Sequence, residues 1–158
     1  MVVWDRAFER IAVKYPEIET ESLLIDAACM EFIRRPDSFD VVVGSNLFGD
    51  ILTDIGGMIT GSIGLSGSAN IDPERRFPSM FEPVHGSAPD IAGKGISNPI
   101  AAILSGAMML KHLGHEKAST EIEDAVMQVL KRGDVLTADL GGKANTEKMG
   151  NTIVDALN

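Results

Sequence analysis

The stretch from Phe39 to Gly67, FDVVVGSNLFGDILTDIGGMITGSIGLSG, constrains this chain more than any other. Val41, Val42 and Val43 form a β-branched run that stops at Gly44, and Ser45 and Asn46 offer helix caps. Apolar character that is continuous rather than alternating predicts a strand over 39–43, buried on both faces. The helix expected next carries Asp50 and Asp54 and stops at Gly56 and Gly57, and Gly61, Gly64 and Gly67 follow at three-residue intervals. Glycines so placed suit a domain crossing or a close backbone approach. Asp50 and Asp54, at i and i+4, share one helix face about a turn apart and repel each other. Two readings stand: a solvated face, the commoner fate of charged residues, or a shared cation.

On either side of this stretch helices and short strands alternate, which makes an α/β chain. Val3, Trp4, Ala7, Phe8 and Ile11 recur at helical spacing, so a helix is expected from Val2 to Lys14, ending before Pro16. Ile18 to Leu24 reads as a strand before a helix over 25–34, or as the start of one longer helix. Asp26 lies in that apolar stretch, where a lone aspartate is more often a cap or a surface residue than a ligand. IDPERRFP (71–78) is a polar, proline-punctuated loop, and Met80 to Val84 is a short segment broken by Glu82 and Pro83, hence an edge strand. Asn98 and Pro99 open a nearly all-apolar helix that Gly114 stops. Glu121 to Arg132 is amphipathic and stopped by Gly133, Asp139 to Gly142 is a turn, and Thr146 to Leu157 is a last helix packing Met149, Ile153 and Leu157. Two or three strands beside these helices make a thin sheet for a complete doubly wound domain.

The loop between the edge strand and the apolar helix, His85-Gly-Ser-Ala-Pro-Asp90 and onward to Asn98, has the composition with which α/β folds bind ligands. Small residues and free backbone N–H groups there admit phosphate or ribose, and Asp90 could take both hydroxyls of a ribose. An ordinary polar turn is the competing reading. There is no GxGxxG after a strand and no Walker loop. His85, His112 and His115 lack zinc spacing, and no nucleophile–base arrangement surrounds a Ser or Cys. Two carboxylates with a third acid suit a hard divalent cation such as Mg²⁺ or Mn²⁺.

The 158 residues make one domain's worth of chain, and the formal charge of −9 argues against nucleic acid or an anionic membrane as partner. Cys29 is the sole cysteine, so no internal disulfide forms, and its apolar setting reads as core. The N-terminus lacks the layout of a signal peptide, and the longest apolar segment, 100–113, is too short to span a bilayer. A soluble, cytoplasmic protein is expected.

FDVVVGSNLFGDILTDIGG, followed by MFEPVHGSAPDIAGKGISNPIAAILSGAMML, closely resembles the metal-dependent β-decarboxylating dehydrogenases of D-2-hydroxy acids. That family includes isopropylmalate, isocitrate, homoisocitrate and tartrate/D-malate dehydrogenases, and the loop SANIDPERRFPSMFEPVHG is most similar to the tartrate/D-malate branch. The resemblance implies an isocitrate/isopropylmalate dehydrogenase-like fold, present only as its C-terminal portion. Residues 1–60 would belong to the second, dimerising and metal-binding domain, and 61–158 to the cofactor-binding first domain. It implies Mg²⁺ or Mn²⁺ on Asp50 and Asp54, with Asp26 lent by the other subunit of a homodimer. NAD would lie along His85, Gly86, Ser87, Ala88, Pro89, Asp90 and Ile91, with Asn98 near the adenine, Asp90 on the ribose, Glu82 on the nicotinamide side and Asp139 near the cofactor. The implied reaction is oxidation, with decarboxylation, of a 2-hydroxy acid such as tartrate or D-malate. A 3-isopropylmalate dehydrogenase portion is the alternative, as is a non-catalytic fragment that binds nucleotide or pairs with another subunit. No catalytic residue is matched in this chain: the family's substrate arginines, acid tyrosine and base lysine belong to the half that it does not resemble. The chain alone is therefore expected to be inactive, and the thin sheet is explained by missing strands.

Overall fold

The structure, a computed structural model, describes residues 2–157. The chain forms two compact units, Met1–Phe39 and Asp40–Asn158.

In the first unit, α1 (Val2–Ala12) is a helix without a single buried residue. Residues 13–24 follow as turn and coil, so neither the strand nor the longer helix anticipated at Ile18–Leu24 forms. The apolar residues there are too few and too interrupted by Glu17, Glu19 and Glu21 to pair or coil alone. The second helix, α2 (Ile25–Arg34), buries Ala28 alone. Cys29 is half-buried rather than a core residue, because the unit offers so little cover. Arg35 closes α2: its Nε and Nη2 donate to Glu31 and Glu21, and its guanidinium lies 5.4 Å from the centre of the Phe39 ring.

The second unit departs most from expectation at its start. Residues 41–45 are not a strand, and Val41 and Val43 are 85% and 68% exposed. A buried strand needs neighbours on both edges for its N–H and C=O groups. Among the described residues the only sheet is β1 (Gly67–Asn70) paired antiparallel with β2 (Met80–Pro83), and it presents no strand to this run. The α3 helix (Asn46–Ile59) passes through Gly56 and Gly57 instead of stopping there. The reason lies in packing: a Cβ at Gly57 would stand 3.0 Å from Ser66 Oγ and 3.4 Å from Ile63 Cα. Gly57 is a contact surface, and the absence of a side chain lets the 63–65 turn approach without displacing Ser66.

Behind the two-stranded sheet lies α4 (Ile100–His112), and the approach is again close, since a Cβ on Gly67 would meet Ser105 N at 3.1 Å. The helix packs against α5 (Glu116–Arg132), which extends five residues further N-terminally than its apolar pattern suggested. Gly133, at φ 68°, ends α5 in the left-handed conformation that glycine adopts without strain. The core is Ile100, Ala125, Val126, Val129, Met149 and Ile153, joining α4, α5 and α6 (Thr146–Asp155). Leu157 falls beyond α6 and is exposed, so it is not part of that core.

Between the strands, the 71–79 loop is organised by Asp72. Its Oδ2 accepts the N–H groups of Arg76 and Phe77 at 2.8 Å, and its Oδ1 that of Glu74 at 3.2 Å. These backbone donors, Phe77 foremost, hold the Asp72 carboxyl below its ordinary range. Arg75 donates to the His112 carbonyl, and Ser79 Oγ lies 3.3 Å from His112 Nε2, so the loop is fastened to the end of α4. No helix among the described residues is long and apolar enough to cross a membrane.

Candidate functional site

Asp50 and Asp54 project from an exposed face of α3, one turn apart, as their spacing requires. Neither carboxylate has an ion pair or a side-chain hydrogen bond among the described residues. Asp26 lies in the other unit, in the first turn of α2; it is exposed, and its Oδ1 accepts the Ala27 N–H at 2.9 Å. No group of three or more His, Cys, Asp or Glu side chains able to hold a metal assembles among the described residues. One chain thus offers two oxygen ligands on a rigid face, a partial set for a cation that favours oxygen donors and retained water.

The loop after β2 presents its small residues outward. Gly86, Ser87, Ala88, Pro89 and Asp90 are exposed, and His85 and Ile91 are half-buried. His85 Nδ1 lies 3.0 Å from the Gly86 carbonyl, and Ala88 takes a positive φ of 40°. The Ala88 carbonyl accepts the N–H groups of Ile91 and Ala92, closing a turn that leaves the Asp90 side chain on the surface. Glu82 stands on β2 opposite Ser68, also exposed.

Asn98 and Asp139 are expected site residues far apart in sequence that the fold brings into direct contact. The Asn98 Oδ1 accepts the Ile100 N–H at 3.0 Å, and its Nδ2 donates to Asp139 Oδ2 at 3.0 Å. Asn98 thus holds the first N–H of α4 from one residue before its N-cap, which is Pro99 rather than Asn98, so the helix begins one residue later than expected. Asp139 also accepts the hydroxyls of Ser62 on Oδ2 and Thr137 on Oδ1, each at 2.5 Å. Partial burial pushes the Asp139 carboxyl up, but the Ser62, Thr137 and Asn98 donors together outweigh it and hold the group below the ordinary aspartate value. Ser62 and Thr137 were not apparent as site residues from the sequence. The only local signal was the Thr-x-Asp spacing, which is common in turns.

Against known proteins, the family model described as isocitrate/isopropylmalate dehydrogenase matches residues 1–153. The chain belongs to the isocitrate/isopropylmalate dehydrogenase family. A probable tartrate dehydrogenase/decarboxylase of Bacillus subtilis (strain 168) is 50% identical over 157 residues, covering 99% of this chain and 44% of that protein. A 3-isopropylmalate dehydrogenase of Corynebacterium jeikeium (strain K411) is also 50% identical, over 155 residues, with 98% and 44% covered. The crystal structure of isocitrate dehydrogenase from Methylococcus capsulatus superposes with a TM-score of 0.89 at 44% identity, covering 94% of this chain and 44% of that one. The chain has the fold of this family and spans under half the length of the relatives it matches.

Proposed function

We propose that this chain supplies the metal-binding and NAD-binding parts of a β-decarboxylating dehydrogenase acting on a D-2-hydroxy dicarboxylic acid of the tartrate/D-malate type. The observation that carries the reading is the Asp50/Asp54 pair: two carboxylates on one exposed face of α3, without an ionic partner, in a chain of this family. Like charges at i and i+4 cost helix stability, and a shared Mg²⁺ or Mn²⁺ offsets that cost. Asp26 of the partner subunit completes the ligand set in a homodimer. Within the two-domain arrangement of the family, residues 1–60 serve the dimerising, metal-binding domain and 61–158 the cofactor-binding domain.

Bound at these sites, the divalent cation supplies a Lewis acid for the substrate's hydroxyl or keto oxygen, and NAD⁺ supplies a hydride acceptor. Asp50 and Asp54 hold the cation in fixed register because they stand on one helix. The loop 85–91 lies along the adenosine half of NAD, and Asp90 accepts the ribose hydroxyls; its charge disfavours a 2′-phosphate there. Asn98 lies near the adenine, Glu82 on the nicotinamide side and Asp139 near the cofactor. The proton-transferring groups and the substrate arginines come from the part of the relatives that this chain does not span, so the chain alone holds cofactors without turnover.

The substrate assignment rests on the 71–79 loop, since a tartrate dehydrogenase/decarboxylase and a 3-isopropylmalate dehydrogenase match at the same 50% identity. The test is NAD reduction with D-malate, tartrate or 3-isopropylmalate plus Mn²⁺, by this chain alone and by a polypeptide restoring the remaining length of the relatives. Activity on D-malate or tartrate is expected only from the longer polypeptide. Inactivity of the longer polypeptide on all three acids rejects the reading. Preference for 3-isopropylmalate moves the substrate to the other branch.

A further inference from the structure

The loop from His85 to Asn98 has an open side and a tethered end. Residues 86–90 and 92–97 are exposed, whereas Asn98 is buried and the last residues are fixed from two directions. Thr146, at the start of α6, donates its N–H to the Gly95 carbonyl at 2.8 Å and its hydroxyl to the Ser97 carbonyl at 2.5 Å. From the other side Asp139 holds the Asn98 amide, whose two ends are thereby both engaged.

The Asp139 contacts are built rather than incidental. Ser62, Asn98 and Thr137 are all buried, and each donates to this one carboxylate. The Ser62 Oγ in turn accepts the Gly64 N–H at 3.0 Å. A Cβ at Gly64 would stand 2.9 Å from Asn98 Cβ and 3.0 Å from Asp139 Oδ2, so the meeting of the segments around 62, 98 and 139 requires glycine there. A carboxylate has roughly four acceptor positions, and three hydrogen bonds from this chain already occupy Asp139.

We infer that Asp139 is a positioning residue that, with Gly64 and Thr146, clamps the C-terminal end of the 85–98 loop and so presents Asn98 and the loop to the nucleotide in one geometry. The nature of the ligand rests on the NAD reading above; the clamp itself does not. Ordering a loop before binding removes part of the entropy that the ligand otherwise meets, so loosening the clamp weakens binding.

The 158-residue chain serves for the test, as wild type and as Asp139→Asn, Gly64→Ala and Thr146→Val. Amide hydrogen exchange at Ile100 reads the Asn98 contact, and exchange at Val129 and Ile153 reads the core. NAD binding is measured by titration calorimetry. Expected are about tenfold faster exchange at Ile100 in Asp139→Asn and Gly64→Ala with the core amides unchanged, and a matching rise of about tenfold in the NAD dissociation constant, the scale of one lost hydrogen bond. Thr146→Val is expected to weaken NAD binding without changing exchange at Ile100. Loss of NAD affinity in Asp139→Asn with unchanged exchange at Ile100 overturns the inference, since Asp139 then touches the cofactor directly. Faster exchange with unchanged affinity overturns it too, leaving a merely structural network. Absence of NAD binding in the wild-type chain refutes the cofactor reading, while the exchange data still decide whether the clamp exists.

Discussion

α1 and α5 are amphipathic helices of comparable patterning with opposite fates. Along α1, Trp4, Phe8 and Ile11 recur on one side and remain 49%, 41% and 48% exposed. Along α5, Ala125, Val126 and Val129 recur likewise and are almost wholly buried against α4 and α6. Periodicity thus decides that a segment is helical and which side is apolar, but not whether anything covers that side. Coverage is a property of neighbours. The same holds for Val41–Val43, whose exposure sets them apart from Ile100, apolar like them and wholly buried.

The largest expected effect lies on the covered side. Met149→Ala, at a side chain with no exposure, should destabilise the second unit by about 2–5 kcal/mol in denaturant unfolding. A loss comparable to that of a surface change would mean that the α4–α5–α6 core is not what holds the unit together. Gly142→Ala should follow at roughly 3 kcal/mol, because its Cβ would overlap the Leu136 carbonyl. Asp139→Asn should alter the acid limb of the stability curve. The folded carboxyl titrates below its ordinary value of 3.8, so its stabilisation is present above that value and is lost as pH falls through the lowered one. The variant should show a flatter decline below about pH 4 in melts at stepped pH; an unchanged acid limb would remove Asp139 as its source. Asp54→Asn should leave stability nearly untouched or slightly raised, and weaken Mn²⁺ binding by tenfold or more in calorimetry, a scale of about 1.4 kcal/mol. Smallest is Trp4→Ala, expected within about 0.5 kcal/mol of wild type in the chain alone; a large loss would show that α1 is covered after all.

Parts of the candidate site's local geometry were legible residue by residue. The i, i+4 aspartates needed only helical geometry, and the exposed Gly86–Asp90 turn followed from its small residues. The Asp139 cluster was not legible, because Ser62, Asn98 and Asp139 are distant in sequence and hydroxyl or amide side chains have no periodic signature. Gly57 and Gly64 read as breaks or pliancy, yet both are sites of contact: a Cβ would crowd Ser66 at Gly57 and overlap Asn98 at Gly64. A glycine's role depends on what approaches it, and the approach is long-range.

By itself, then, the sequence determined the α/β class, the positions of six α-helices to within a few residues, the family, and the aspartate pair on one face. These follow from local propensity, spacing and motif, which act over a turn or two of chain. Only the tertiary structure decided that Val41–Val43 form no strand among the described residues, that α3 runs past its glycines, and that Asp139 gathers three buried donors. A strand needs a second strand and a carboxylate needs its donors, and neither requirement is written in the neighbouring residues.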